Sequence, residues 1–333
     1  MPFRQTNGDT ILRRLSAILA TCVFALVAAP AQSQSTYPSR PVTVVVPFST
    51  GGSTDLVARL IGQPLGQALG QPVVVDNRLG GGGAVGWASV ARAAPDGHTL
   101  ITLELSYAIA AGLNPNLPYD PHKAFSHITT AVSVPHVLVI NPDVPAQTFR
   151  EFIALAKSRP GKLNYGSGGV GTNTHLGGEL LKTLTGIYMV HIPYKGAGAV
   201  LQDLMGNQVQ ALVTSLPTAL PHIRSGKLRA LMVTSEERSS VLPEVPSAKE
   251  VGLPRMVMKF WVGFAAPAGT PAPVIERLNR DIIASMNQPD ARKRIADLGL
   301  DVVGSTPAQA TALVEGEMAR WAALIKATGI KPE

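Results

Sequence analysis

The run PVTVVVPF at 41–48 is apolar and β-branched at nearly every position. It ends in the glycine-rich STGG and passes directly into the helical pattern DLVARLIGQPLGQAL. A strand that does not alternate polar with apolar must be covered on both faces, which calls for helices packed on either side of a parallel sheet. The grammar then repeats. QPVVVDN at 71–77 reads as a second buried strand, followed by glycines at 80–83 and a small-residue helix to Ala93, and HTLITLE at 98–104 reads as a third strand. This β-α-β-α-β order predicts an α/β fold.

A second set of the same units begins near Val134. HVLVINP, a helix at 149–158, LNYGS, THLGGELLKTLTG, MVHIPY, a helix at 199–206, VQALVTSL and LRALMVTS succeed one another. WVGFAAPAG at 261–269 adds a short strand, and helices are predicted at 272–287, 289–298 and 306–327. The late strand and helices need a sheet to cover, so the first domain is expected to be discontinuous. One large doubly wound domain is the alternative.

The first 31 residues read as an export signal rather than as part of the fold. Arg4, Arg13 and Arg14 precede an apolar stretch at 15–29, and Ala29-Pro30-Ala31 supplies a small-x-small cleavage pattern near Ala31. The apolar stretch is short for a membrane span, leaving a retained anchor as the lesser alternative. Arg13-Arg14 raises the twin-arginine route, but Ser16 stands where that motif wants Phe. The only cysteine, Cys22, lies inside the apolar stretch, so cleavage leaves a chain indifferent to an oxidising compartment. With 45% hydrophobic and 15% charged residues the chain is a globular type, neither disordered nor coiled-coil. Of its net charge of +7, the first 31 residues carry +2 (three Arg, one Asp), and the remaining 7 − 2 = +5 is scattered, without basic blocks or interleaved aromatics, which argues against a nucleic-acid partner.

Two stretches carry the chemistry. In PFSTGGSTD (47–55), Gly51 and Gly52 let the backbone turn tightly where a strand becomes a helix, and Ser53, Thr54 and Asp55 are N-cap types. In NYGSGGVGTNTHLG (164–177), Gly166, Gly168 and Gly171 form a literal G-x-G-x-x-G, followed by Thr172, Asn173, Thr174 and His175. The dinucleotide reading of that fingerprint needs an acid closing the next strand, but MVHIPY ends in Tyr194-Lys195-Gly196. No G-K-[ST] follows either stretch, so neither is a phosphate P-loop. What remains is anion binding by loop amides, helix N-termini and the hydroxyls of Ser167, Thr172 and Thr174, suited to a carboxylate. His175 is a candidate ligand contact or a structural hydrogen-bond partner. A serine hydrolase elbow fails at Tyr165, two residues before Ser167. No metal-ligand spacing is present, and neither a cofactor nor catalysis is expected.

At this point the chain resembles a family: the periplasmic substrate-binding proteins of tripartite tricarboxylate transporters, or Bug-type receptors. The likeness runs from about Tyr37 to the C-terminus. It is carried by YPSRPVTVVVPFSTGGSTDLVAR (37–59), DNRLGGGGAVG (76–86), APDGHTL (94–100), LPYDP (117–121), NYGSGGVGTNTHLGGELL (164–181), HIPYKGAG (191–198), LPHIRSGKLRALMVTS (220–235) and FWVGFAAPAGTP (260–271). The resemblance implies a type II periplasmic binding fold, two α/β lobes with two crossovers and a ligand cleft between them. Lobe 1 would cover 37–135 and 257–333, and lobe 2 would cover 136–256. It implies a small carboxylate ligand, membrane permease subunits as partners, a monomer and a periplasmic location. A sensor partnering a membrane signalling protein is the alternative.

Carried over by position, the expected ligand-binding residues of lobe 1 are Phe48, Thr50, Gly51, Gly52, Ser53 and Asp55. Those of lobe 2 are Ser167, Gly168, Gly171, Thr172 and His175. Ser106 and Ala108 in LELSYAIAA, Tyr194 with Lys195, and Thr214 with Ser215 are further cleft candidates. The family commonly has Pro or Ala at the position of Thr50 and Pro at that of Leu79. An acid is frequent where Thr214 stands, so its replacement points away from amine-bearing ligands and toward plain carboxylates, aromatic ones included.

Overall fold

The structure, a computed structural model, describes residues 37–328. The export signal expected over 1–31 lies outside these residues.

Three strand-helix units open the described chain. β1 (Val42–Val46) leads to α1 (Ser53–Leu69), β2 (Val73–Asn77) to α2 (Ala84–Ala91), and β3 (Thr99–Glu104) to α3 (Leu105–Leu113). The 16-residue β4 (Phe125–Ile140) follows. The next elements are α4 (Phe149–Ser158), β5 (Asn164–Ser167), α5 (Asn173–Thr185), β6 (Val190–Pro193), α6 (Ala197–Met205), β7 (Ala211–Ser215), α7 (Leu216–Arg224) and β8 (Arg229–Val233). The chain then returns through β9 (Lys259–Pro267), α8 (Ala272–Met286), α9 (Pro289–Asp297), β10 (Asp301–Val302) and α10 (Pro307–Thr328).

α1 shows how the pattern becomes structure. Val57, Ala58, Ile61, Leu65 and Leu69 recur at helical spacing and are all buried. Gly70 ends the helix in the left-handed region at φ 68°, its N–H donating to the Gln67 carbonyl.

The strands run in the order β2-β1-β3-β9-β4-β7-β5-β6, with β8 and β10 also paired to β4. β1 is parallel to β2 and β3, and β5 is parallel to β6 and β7, as the repeated units require. β9 is antiparallel to both β3 and β4, and β4 is antiparallel to β7 and β8. β4 therefore changes partners along its length: residues up to Pro135 pair with β9, and residues from His136 pair with β7. Thr234 ties the chain together at this point. His136 N–H donates to Thr234 Oγ1 at 2.8 Å, Thr234 N–H donates to the His136 carbonyl at 2.8 Å, and Thr234 Oγ1 donates to the Met258 carbonyl at 2.8 Å.

Two expectations about strands are corrected. QPVVVDN is not buried: β2 is the sheet edge and Val74 is half exposed, because no strand follows it on that side. β4 starts at Phe125, well before the apolar run near Val134, because its polar first half is satisfied by other elements. Thr129 Oγ1 donates to the Ser305 carbonyl and Thr130 N–H to Ser305 Oγ, both at 2.8 Å.

Candidate functional site

A cavity of about 30 Å³ lies where the carboxyl ends of several strands meet. That volume holds one or two waters, so admitting a larger solute requires its walls to part. Its polar lining comes from five helix starts. Gly52, Ser53 and Thr54 open α1, Glu104 and Ser106 open α3, Thr172, Asn173 and Thr174 open α5, Ala197 opens α6, and Ser215 caps α7. Phe48, Phe260 and Gly168 complete the wall, and no Lys, Arg or His lines it. Each helix follows a strand directly, so the site gathers at the carboxyl ends of β1, β3, β5, β6 and β7. The helix starts each present partial positive charge to one small space. Larger surface grooves exist, about 680 Å³ beside α1 and β2 and about 560 Å³ beside α4, but neither receives these loops.

The two walls are hydrogen-bonded to each other. Ser53 N–H donates to Thr218 Oγ1 at 3.0 Å, and Ser215 Oγ donates to Ser53 Oγ at 2.7 Å. On the other side Asn173 N–H donates to Ser106 Oγ at 2.9 Å, while Asn173 Nδ2 donates to Glu104 Oε2 at 2.7 Å and to Ser106 Oγ at 2.9 Å. Asn173 Oδ1 can only accept, so His136 Nε2 carries the proton across their 2.9 Å contact. His136 is buried at the point where β4 changes partners, and burial pushes its pKa down to about 4. Burial pushes Glu104 up to about 7, against the lowering effect of its hydrogen bonds from Ser106 and Asn173.

Of the expected residues, Phe48, Gly52, Ser53, Ser106, Gly168, Thr172 and Ser215 line the cavity. The others do not line it. Asp55 is committed to protein partners: it accepts from Gly51 N–H at 3.1 Å, Arg59 Nε at 3.0 Å and Asn77 Nδ2 at 3.0 Å. Thr50 and Gly51 are exposed, with Gly51 at φ 82°. Ser167 is fully buried behind the cavity, 2.6 Å from His191 Nε2 through its hydroxyl. Gly171 N–H donates to His175 Nδ1 at 3.2 Å, and the His175 ring stacks on His191 at 4.2 Å. Tyr194 donates to Asp203 at 2.6 Å. Ala108 is buried within α3, and Thr214 is buried on β7 without lining the cavity.

Glu104, Thr218, Ala197 and Phe260 were not anticipated. Glu104 had a signal in the sequence: HTLITLE is an apolar strand closed by one acid, at the same strand-end position that the glycine loops occupy. Phe260 had none, since an aromatic beside Trp261 in a strand reads as core.

A family model described as "Tripartite tricarboxylate transporter family receptor" matches residues 57–330. The chain belongs to that family. Protein BugT of Bordetella pertussis is 38% identical over 327 residues, 98% of this chain and 99% of its own. MatC from Rhodopseudomonas palustris, solved with bound malate, is 37% identical with a TM-score of 0.84, covering 87% of this chain and all of its own. Rpa4515 of R. palustris, solved with adipate, is 34% identical with a TM-score of 0.86, covering 89% of this chain and all of its own. The tripartite tricarboxylate receptors are periplasmic solute-binding proteins, and the two-lobed binding fold expected from the sequence is the fold of this chain.

Proposed function

We propose that this chain is an extracytoplasmic receptor that closes on a small carboxylate and delivers it to a tripartite tricarboxylate-type permease. The convergence of five helix starts on one cation-free cavity carries this reading. Aligned amides and hydroxyls replace the water around a carboxylate without importing a counter-charge. Phe48 and Phe260 offer apolar surface to the carbon skeleton. The malate and adipate complexes of relatives with more than 30% identity support the solute class.

On this reading, 37–135 with 257–333 form one jaw and 136–256 the other, and they part and close about the crossovers near His136 and Met258. The ligand favours the closed form by contacts to both jaws that the open form lacks. The protein acts as a monomer, is exported by its N-terminal signal with cleavage near Ala31, and is not an enzyme. The Ser167–His191 contact does not favour hydrolysis, because Ser167 is fully buried and does not line the cavity.

A thermal-shift screen of the purified protein against mono-, di- and tricarboxylates tests the reading. A bound carboxylate raises Tm by mass action. No response across the panel would overturn the proposal, and turnover of an ester substrate would favour the hydrolase.

A further inference from the structure

Glu104 closes β3, is fully buried, and lines the cavity. Its two oxygens are treated differently. Oε2 accepts from Ser106 N–H at 2.9 Å and from Asn173 Nδ2 at 2.7 Å. Oε1 has no hydrogen-bond partner among the described residues. A buried carboxylate oxygen without a donor is costly, and native structures keep such groups where something else supplies the missing partner.

No charged side chain of the lining supplies it. No Lys, Arg or His lines the cavity. His136 is linked to Glu104 only through Asn173, and burial holds its ring toward the neutral form. The same cavity therefore presents helix starts that favour an anion and an acceptor that lacks a donor. A plain carboxylate satisfies the first and sets its charge against the second. A carboxylate with an ammonium or hydroxyl substituent satisfies both.

We propose that Glu104 selects, among small carboxylates, those that carry a hydrogen-bond donor to meet its Oε1. The assignment rests on the carboxylate-receptor reading above and narrows it. The shared chemistry is a donor on the ligand's carbon skeleton. An ammonium adds charge pairing to the hydrogen bond, whereas a hydroxyl adds the hydrogen bond alone.

Glu104→Gln isolates the effect. Its amide oxygen keeps the two bonds accepted by Oε2, and its NH₂ turns the partnerless acceptor into a donor. The fold keeps its internal bonds while the selectivity changes sign.

Titration calorimetry at pH 8 would compare matched triads that differ only in the substituent. These are propionate, lactate and alanine; succinate, malate and aspartate; and 3-phenylpropionate, phenyllactate and phenylalanine. In every triad that binds, the donor-bearing members are expected to bind about tenfold or more tighter than the parent. Ammonium above hydroxyl identifies charge pairing, and hydroxyl equal to ammonium identifies a plain hydrogen bond; both support the assignment. In Glu104→Gln the preference disappears or reverses. A parent acid bound as tightly as its substituted partners, or a preference surviving in Glu104→Gln, overturns the assignment and leaves the carboxylate reading standing. Silence from all nine compounds overturns both.

Discussion

Gly198 in α6 lies so close to Thr50 that a Cβ added to it would stand 2.5 Å from the Thr50 carbonyl oxygen. It would also stand 3.1 Å from the Gly52 amide nitrogen. These are backbone atoms of the loop before α1, in the other jaw as proposed above, so neither can turn aside as a side chain would. Gly198→Ala is expected to hold the jaws apart while leaving each well folded, since alanine suits a helix better than glycine by up to about 1 kcal/mol. Carboxylate affinity should fall at least tenfold with Tm unchanged or slightly raised. Calorimetry and small-angle scattering check this, and wild-type affinity in the variant would count against closure at this contact.

Ser53 binds Ser215 and Thr218 across the cleft through its side chain and its amide. Ser53→Ala removes one hydroxyl from the lining but keeps the α1 amides in place. Affinity should fall by about 1 kcal/mol, the value of one ordinary hydrogen bond, or roughly fivefold. A change below twofold would remove the Ser53 hydroxyl from the site.

Asp55 shapes the first loop from inside. Replacing it by Asn removes its ion pair with Arg59, at 2.9 Å, and sets an NH₂ group among donors that now point at a carboxylate. The expected loss is about 2 kcal/mol of stability, measured by denaturant unfolding, because the Asp55 carboxylate is itself buried. Arg59→Ala should cost less, since the Arg59 side chain is half exposed.

Glu104 and His136 give stability two opposed pH dependences. Glu104 is pushed up from 4.5 to about 7, so its contribution is present below pH 4.5 and is lost as pH rises through about 7. His136 is pushed down from 6.5 to about 4, so its contribution is present above pH 6.5 and is lost as pH falls through about 4. Between pH 4.5 and 6.5 they offset each other. Glu104→Gln removes one side of the balance. Relative to the variant, the wild type should lose stability with a slope of up to ~1.4 kcal/mol per pH unit between pH 5 and 7. Parallel stability curves for the two proteins over that range would show that Glu104 does not titrate there.

Much of this was legible in the residues because the apolar strands and glycine loops are local signals. PFSTGGSTD and GSGGVGTNTH each announce a strand passing into a helix, and both contribute to the cavity. Partnership across the sheet was not legible. The first half of β4 looks like loop because His127, Thr129 and Thr130 are polar, and they find partners in Thr311 and Ser305, far along the chain. The missing acid at Thr214 argues against amine-bearing ligands from one side of the cavity alone. Glu104 places a carboxylate on the other, and an acid at the end of an apolar strand declares itself buried only once five helix starts have closed around it.

The long β4 strand has a mechanical meaning. Because one strand pairs with β9 along its first part and with β7 along its second, the proposed jaws cannot swing as if on a slack tether. Opening must bend a laddered ribbon braced by Thr234, and a bent ribbon resists in proportion to its stiffness. Opening to release cargo then costs elastic energy on top of the ligand contacts that are lost. The stiffness of that ribbon becomes a dial for how readily cargo is released, independent of every atom that touches it.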